Sequence, residues 1–579
     1  MPRRGLRALA AGALRRVRRV APAAPLDNEA RRLEAVRELH RHEAQLKPAY
    51  KHWGYKNVFA KGFIGVRGVD PELPRDRWVR VRLGEWHFAL DSDLEYRLAG
   101  DADVAVLVLG HAFDDAGAAG RDAVPQRILE AARADVRAGQ ARTAVDEVLT
   151  WLSGRFVVFV WRGGELDVYG DPMATRACYY LAATDVRVAA PSASATAADA
   201  SPFASTVPLP GADLPGTPAL PPHLAELPPA VASHTQLLAR YAGGLTHHEQ
   251  RWARLHPDYK DEFGKWIPGV LTPHDHVRQV SANCRLTIGG GEIAHRRFFP
   301  PVGFRREERS AEAVFPEFRD ELRQQVRNWA QTHREVSLPL TAGRDSRGIL
   351  AAGLVDLQDA GALTFTYHPF HVPQKSTVTD LDVAGRLSAA AGLPHLVVDV
   401  RPVKRDRPFD RLYRATFPTY PRYAALAGAL YVSVPARAAT LFGVGGGIVT
   451  GMFRNTEDQT LSAETLARKF TASKFGEIPE LRARIEQWFA YTEFTEARLA
   501  GFSIYDLFHW EHRMSKWGAE GYLEYDLATV PAPVLNSRRL LLAALSLPEA
   551  DRKAKVLYDL LEQTDPPTPA EPAPPAAQA

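Results

Sequence analysis

The sequence predicts a two-domain protein: an α+β domain followed by an α/β domain built on a parallel sheet. Three observations lead there. A chain of 579 residues is too long for one ordinary core. Residues 77 to 182 alternate short apolar runs with turns. After residue 330, strand-like runs alternate with helical ones, which is βαβα order and implies a parallel sheet covered by helices.

Composition narrows the class. An apolar share of 46% is normal for a globular protein. No run of about 18 apolar residues exists, so no membrane span is expected. Two cysteines, Cys178 and Cys284, make neither a disulfide framework nor a four-thiolate metal site, and they fit a reducing cytoplasm. The net charge is +4, yet the first 26 residues hold seven arginines and no acid. The remaining body carries −3, which argues against a nucleic-acid partner. The leader places Leu6, Leu9, Ala13, Val17 and Val20 near one helical face. It is either a frayed extension or a segment for an anionic membrane surface or a protein partner.

In chain order, residues 1–49 read as the basic leader and a polar helix. Residues 50–305 form the first domain. Within it, helices are expected near 123 to 137 and 141 to 153, and a hairpin pairs Val157–Trp161 with Leu166–Tyr169 around Gly163-Gly164. A Pro, Ala and Ser-rich surface loop spans 191–230, and "CRLTIGGGEIAHRRFF" closes the domain. Residues 306–565 form the second domain. Val314, Phe318, Leu322, Val326 and Trp329 recur at helical spacing. Strands follow at 336 to 340, 363 to 368, 395 to 400 and 439 to 444, with helices at 346 to 355 and 380 to 391. From 461 the pattern is mainly helical. The Pro-rich tail, 566–579, is expected to be disordered.

The segment "LPLTAGRDSRGILAAGL", residues 338 to 354, hands a strand to a helix through a polar turn. Ligands of parallel α/β sheets bind at such carboxyl ends, and a helix start offers free N–H groups and partial positive charge to phosphate. Thr341 and Ser346 add hydroxyls, Arg344 and Arg347 add cations, and Gly343 permits close approach. Asp345 repels phosphate unless a cation such as Mg²⁺ intervenes. Alternatively, Asp345 or Ser346 caps the helix. The turn is not a Walker P-loop. "GVGGGIVTG" is not a dinucleotide fingerprint, because Ile448 stands where a third glycine belongs.

The turn instead resembles the pyrophosphate loop (PP-loop), Ser-Gly-Gly-x-Asp-Ser, of adenylating ATP pyrophosphatases. "LTFTYH", "TDLDVAGRLSAAAGLPHLVVDV", "YDLFHWEHRMSKWG", "PAPVLNSRRLLLAALSLP" and "RKAKVLYDLL" extend the likeness to the asparagine synthetase-like family. That family includes β-lactam and carbapenam synthetases and lasso-peptide cyclases. "LSGRFVVFVWRGGELDVYGDPMATRACYYL" is similar to the end of its class II glutaminase (Ntn-like) domain.

The resemblance implies an adenine nucleotide alpha hydrolase-like second domain and a degenerate Ntn-like first one. It implies ATP and Mg²⁺ as cofactors. ATP is placed against Leu340, Thr341, Gly343, Arg344, Asp345, Ser346, Arg347, Thr366, Gly443 and Gly445. Asp345 and Asp380 are the implied metal ligands, and Lys555 and Arg344 the catalytic cations. Arg552 and Lys553 rival Lys555. The expected activity is ATP-dependent adenylation of a small-molecule or peptide carboxylate, then transfer to an amine, possible within one molecule.

Two departures matter. The family's glutaminase cysteine follows the initiator methionine, and Pro2 stands there, so glutamine-independent synthesis is expected. Gly447 and Ile448 replace an acidic pair whose Asp helps hold Mg²⁺. Asp380 or Asp382 either compensates or caps the helix beginning there, and Glu457 and Asp458 are further substitutes. A catalytically impaired module binding nucleotide or a partner is the alternative.

Overall fold

The computed structural model describes residues 58–564, apart from 73, 75–77, 140–141, 191–205, 211–213, 215–216, 262–265, 418–422, 454–458 and 472. The leader, the polar helix at 28–47, Glu457, Asp458 and the tail lie outside the described residues.

The first half is a sandwich of two sheets. Six strands run in the order Val277–Gln279, Tyr179–Leu181, Ala230–Ala232, Phe63–Arg67, Trp86–Asp91 and Trp78–Leu83, all antiparallel. The second sheet has eight strands, and its longest pair, Val104–Phe113 with Ser153–Arg162, is buried along its whole length. Phe63 and Phe88 of one sheet meet Phe159 of the other with ring centroids 5.6 and 4.9 Å apart. Such edge-to-face aromatic pairs make a dense layer. The expected hairpin forms, as Ser153–Arg162 with Glu165–Gly170. The helices Val124–Arg137 and Thr143–Thr150 pack together, the first of them against the eight-stranded sheet. The Pro-rich passage is less irregular than its composition suggests: it includes strand Thr206–Pro208 and the short helix Pro222–Ala225, and strand Ala230–Ala232 begins at its end.

The second half contains a five-stranded sheet, parallel throughout, in the order His395–Asp399, Leu363–His368, Val336–Pro339, Ala439–Phe442, Val530–Pro533. The chain builds outward from Val336–Pro339 in one direction, then returns to build in the other. The order therefore reverses between Val336–Pro339 and Ala439–Phe442, and a crevice opens at the carboxyl ends of those two strands. The fifth strand, "VPAP", was not anticipated; it sits at the sheet edge, where proline is tolerated. Helix Ala311–Thr332 buries Val314, Phe318, Leu322, Val326 and Trp329 and packs against Arg344–Asp359.

One apolar core runs through both halves, and buried charges join them. Arg155 holds Asp526 through two hydrogen bonds of 2.8 and 2.7 Å. Arg297 grips Glu511 at 2.6 and 2.5 Å. Lys61 Nζ donates to the carbonyls of Asp526 and Thr529 at 2.8 and 2.7 Å. No helix among the described residues is long and apolar enough to cross a membrane.

Candidate functional site

The polar turn sits at the crevice. Strand Val336–Pro339 leads through Leu340–Gly343 into helix Arg344–Asp359, whose cap is Gly343 with no side-chain hydrogen bond. Neither Asp345 nor Ser346 caps this helix. The turn is shaped from within: Thr341 N–H donates to Ser346 Oγ at 3.1 Å, and Gly343 N–H donates to Thr341 Oγ1 at 3.0 Å. The N–H groups of Arg344, Asp345 and Ser346 lie in the first helical turn, where no helical carbonyl reaches them.

Two neighbours fix the turn from outside. Thr366 Oγ1, buried in the adjacent strand, donates to Leu340 O at 2.7 Å. Asp380 Oδ1 accepts from Ala342 N–H at 2.8 Å. Helix Lys375–Ala390 begins five residues before the expected start, behind a Gln374–Thr377 capping box. Asp380 and Asp382 therefore lie inside it rather than at its start. Asp382 pairs with Arg386 at 2.8 Å, while Asp380 serves the turn.

The glycine segment closes the other wall. Strand Ala439–Phe442 ends at Gly443, and Gly445 takes φ 109° before the short helix Gly446–Val449. A Cβ on Gly446 would lie 2.1 Å from Asp345 Oδ1 and 2.3 Å from Oδ2. Glycine is needed there because the Asp345 carboxylate occupies the space. A Cβ on Gly445 would lie 2.6 Å from Met173 Cε, so the first half contributes to this wall. Ile448 is buried in the core and offers nothing to a metal.

The cations divide sharply. Arg552 is buried, pairs with Asp506 at 2.7 and 2.9 Å, and donates to the carbonyls of Ile448 and Val449. It clasps the back of the glycine segment. Lys553 pairs with Glu549 at 2.8 Å on an exposed helix face. Lys555 differs from both: it ends helix Glu549–Ala554 in the left-handed conformation, φ 62°, an uncommon and costly state for a side chain with a Cβ. Its charge acts on Asp345 across the corner. Burial raises the Asp345 carboxyl above its ordinary range, opposed by the Tyr558 hydroxyl and the Lys555 charge. Arg344 meets Asp559 at 2.6 Å and Glu562 at 3.1 Å, and Arg347 meets Glu562 at 3.1 Å. Both arginines thus lean onto helix Val556–Thr564.

Of the residues read from the sequence, Leu340 to Ser346, Thr366, Gly443, Asp380 and Lys555 converge on one corner. Gly445 flanks it, while the Arg344 and Arg347 side chains are both engaged by Glu562. Sequence reading missed Tyr558 and Met173, whose roles depend on chain reversals that local pattern does not carry, and it named Arg552 only as a rival to Lys555. It also missed the π-helical stretch His509–Gly518, which sets His509 against Gly447, 2.7 Å from where a Cβ would be. Arg513 within it lies over the Trp517 and Phe453 rings at 4.9 and 5.2 Å.

Among the described residues, no three His, Cys, Asp or Glu side chains gather to hold a metal. The corner supplies Asp345 and, through its remaining oxygen, Asp380. One or two carboxylates with substrate phosphates suffice for Mg²⁺, so these residues fit an ion that arrives with a nucleotide.

Fold and corner together define an α/β protein with a polar strand-to-helix turn at the reversal of its parallel sheet. No family model matches the sequence, and no curated protein matches it. Among solved structures, the chain is similar to glutamine phosphoribosylpyrophosphate amidotransferase from B. subtilis complexed with ADP and GMP, at 10% identity and a TM-score of 0.19, over 71% of this chain and 75% of that one. It is also similar to a structure described as the allosteric regulatory enzyme of purine biosynthesis, at 10% identity and a TM-score of 0.20, over 68% and 70%. Both likenesses are too loose to assign a fold or a function.

Proposed function

We propose that the protein is an ATP-dependent, glutamine-independent amide-bond synthetase with a PP-loop ATP pyrophosphatase domain. The observation that carries this reading is the convergence of the Leu340–Ser346 turn, the glycine segment and Lys555 at the sheet's reversal. The free N–H groups of the first helical turn suit the β- and γ-phosphates. Lys555 supplies a cation that has no ion pair among the described residues. The nucleotide's Mg²⁺ would lie against Asp345 and Asp380 and neutralise phosphate charge.

A substrate carboxylate oxygen attacks the α-phosphorus, the bond to the bridging β-phosphate oxygen breaks, and pyrophosphate leaves. An amine then attacks the acyl carbon, AMP leaves with the electron pair of the acyl–oxygen bond, and the amine loses one proton. Lys555 stabilises the departing pyrophosphate and the tetrahedral oxyanion, an electrostatic role of the largest kind in such reactions. Neither cysteine suits glutamine hydrolysis: both thiols are buried in the core, and burial pushes them up, the reverse of a nucleophile's need.

The test is carboxylate-dependent exchange of labelled pyrophosphate into ATP. Exchange with a suitable acid supports the reading, and ATP turnover that releases ADP instead of AMP contradicts it. A second reading, a module that binds nucleotide or a partner without turnover, is favoured by buried Ile448 and by the engagement of Arg344 and Arg347 with Asp559 and Glu562. Saturable ATP binding with no exchange, unaffected by Lys555→Ala, would select it.

A further inference from the structure

Two glycines clear space for one pair of side chains. Gly446 leaves room for the Asp345 carboxylate, as described above. Gly348 does the same for Tyr558: a Cβ there would lie 2.7 and 2.9 Å from Cδ1 and Cε1 of the ring. Asp345 and Gly348 are three apart in helix Arg344–Asp359 and so share a face. Glycine is unfavourable inside a helix, and here it lets the tyrosine ring lie against the backbone next to Asp345.

The ring is held from several sides. Tyr558 N–H donates to Lys555 O at 3.0 Å, in the first turn of helix Val556–Thr564. The pairs of Arg344 with Asp559 and Glu562, and of Arg347 with Glu562, tie that helix to the start of helix Arg344–Asp359. Tyr558 is 1% exposed and meets Phe318 edge-on, with ring centroids 6.2 Å apart.

A phenylalanine would pack there equally well. What the hydroxyl adds is a donor. It makes no short hydrogen bond among the described residues, an uncommon state for a buried polar group. The carboxylate that acts on it is Asp345, and the hydroxyl in turn opposes the rise that burial imposes on Asp345. A buried donor set beside a half-buried acid is how outer groups orient a metal-binding carboxylate.

We infer, on the nucleotide reading proposed above, that Tyr558 is a positioning residue for the cation that accompanies the triphosphate. Its O–H donates to the Asp345 carboxylate and fixes that group against the wall made by Gly446. Lys555 and Tyr558, three residues apart, then divide the work: the ammonium serves the phosphates, and the phenol serves the acid that faces their cation.

The experiment is calorimetric titration of the full chain with α,β-methylene-ATP, once with Mg²⁺ and once with EDTA. The parent should bind more tightly with Mg²⁺. Tyr558→Phe keeps the ring and its packing, so its thermal midpoint should match the parent. Its affinity should fall about tenfold or more with Mg²⁺ and stay at the parent value in EDTA. Asp345→Asn should abolish the Mg²⁺ effect, and adding Tyr558→Phe to it should change nothing further. Gly348→Ala, which displaces the ring by another route, should show the same selective loss. Tyr558→Phe binding that falls equally with and without Mg²⁺ marks a merely structural role and overturns the inference. Binding unchanged in both conditions, or a parent whose binding ignores Mg²⁺, overturns it as well. A parent that binds no nucleotide overturns the nucleotide reading itself, and the inference with it.

Discussion

The seam between the two halves and the corner at the sheet's carboxyl edge are both rich in charge, and they use it in opposite ways. At the seam, Arg155, Asp526, Arg297, Glu511 and Lys61 are buried, and each is held by partners from the other half. At the corner, Lys555 and the first amides of helix Arg344–Asp359 are left for something else. Arg552 and Lys555 show the contrast within three residues: the first is locked against Asp506 and two carbonyls, the second is exposed on a strained backbone. Charge that is satisfied internally builds the frame, and charge left open at a built corner is available to a ligand.

The sharpest way to break this contrast is at the seam. Asp526→Ala leaves Arg155 and Lys61 buried without their counter-charge, and urea unfolding should show a loss of about 3–5 kcal/mol. Next is Lys555→Ala, which should lower pyrophosphate exchange by about 10²–10³-fold while the thermal midpoint stays put. The neighbouring Lys553→Ala loses only an exposed ion pair of about 0–1 kcal/mol, and exchange should be unchanged. Gly446→Ala drives a methyl group into the Asp345 carboxylate. A cost of about 1–3 kcal/mol in denaturant unfolding is expected, with weakened ATP binding measured by titration.

A further effect concerns pH. Burial pushes His509, beside Gly447, down to about 3. Its folded value lies below the unfolded one, near 6.5, so the unfolded chain takes up the proton first and stability falls as pH drops below about 6.5. Over the unit from 6.5 to 5.5 this histidine contributes at most about 1.4 kcal/mol of loss. His509→Phe, placed among Phe453, Phe470 and Phe508, should flatten the acid slope by up to that amount in unfolding titrations.

How much of this was legible in the sequence depends on how local the cause is. Four of the five strands of the parallel sheet announced themselves as apolar runs between helical periods, and the turn did so through its cluster of polar groups. The fifth strand hid behind Pro531 and Pro533. Three-residue strands such as Tyr179–Leu181 and Ala230–Ala232 are too short to show a period and exist only because neighbours pair with them. The start of helix Lys375–Ala390 was misplaced because Gln374 and Thr377, rather than an aspartate, form its cap. At the site, the turn residues were readable from spacing, but the choice among Arg552, Lys553 and Lys555 was not. Three cations in four positions look alike until burial, an i,i+4 pair and a left-handed backbone separate them.

A crystal structure of the full chain with α,β-methylene-ATP and Mg²⁺ tests the central claim most directly. The account predicts the β- and γ-phosphates within hydrogen-bonding distance of the Arg344–Ser346 amides, with the Lys555 ammonium turned onto them. Triphosphate bound away from that corner, or density for nucleotide that leaves Lys555 and the turn untouched, would contradict it.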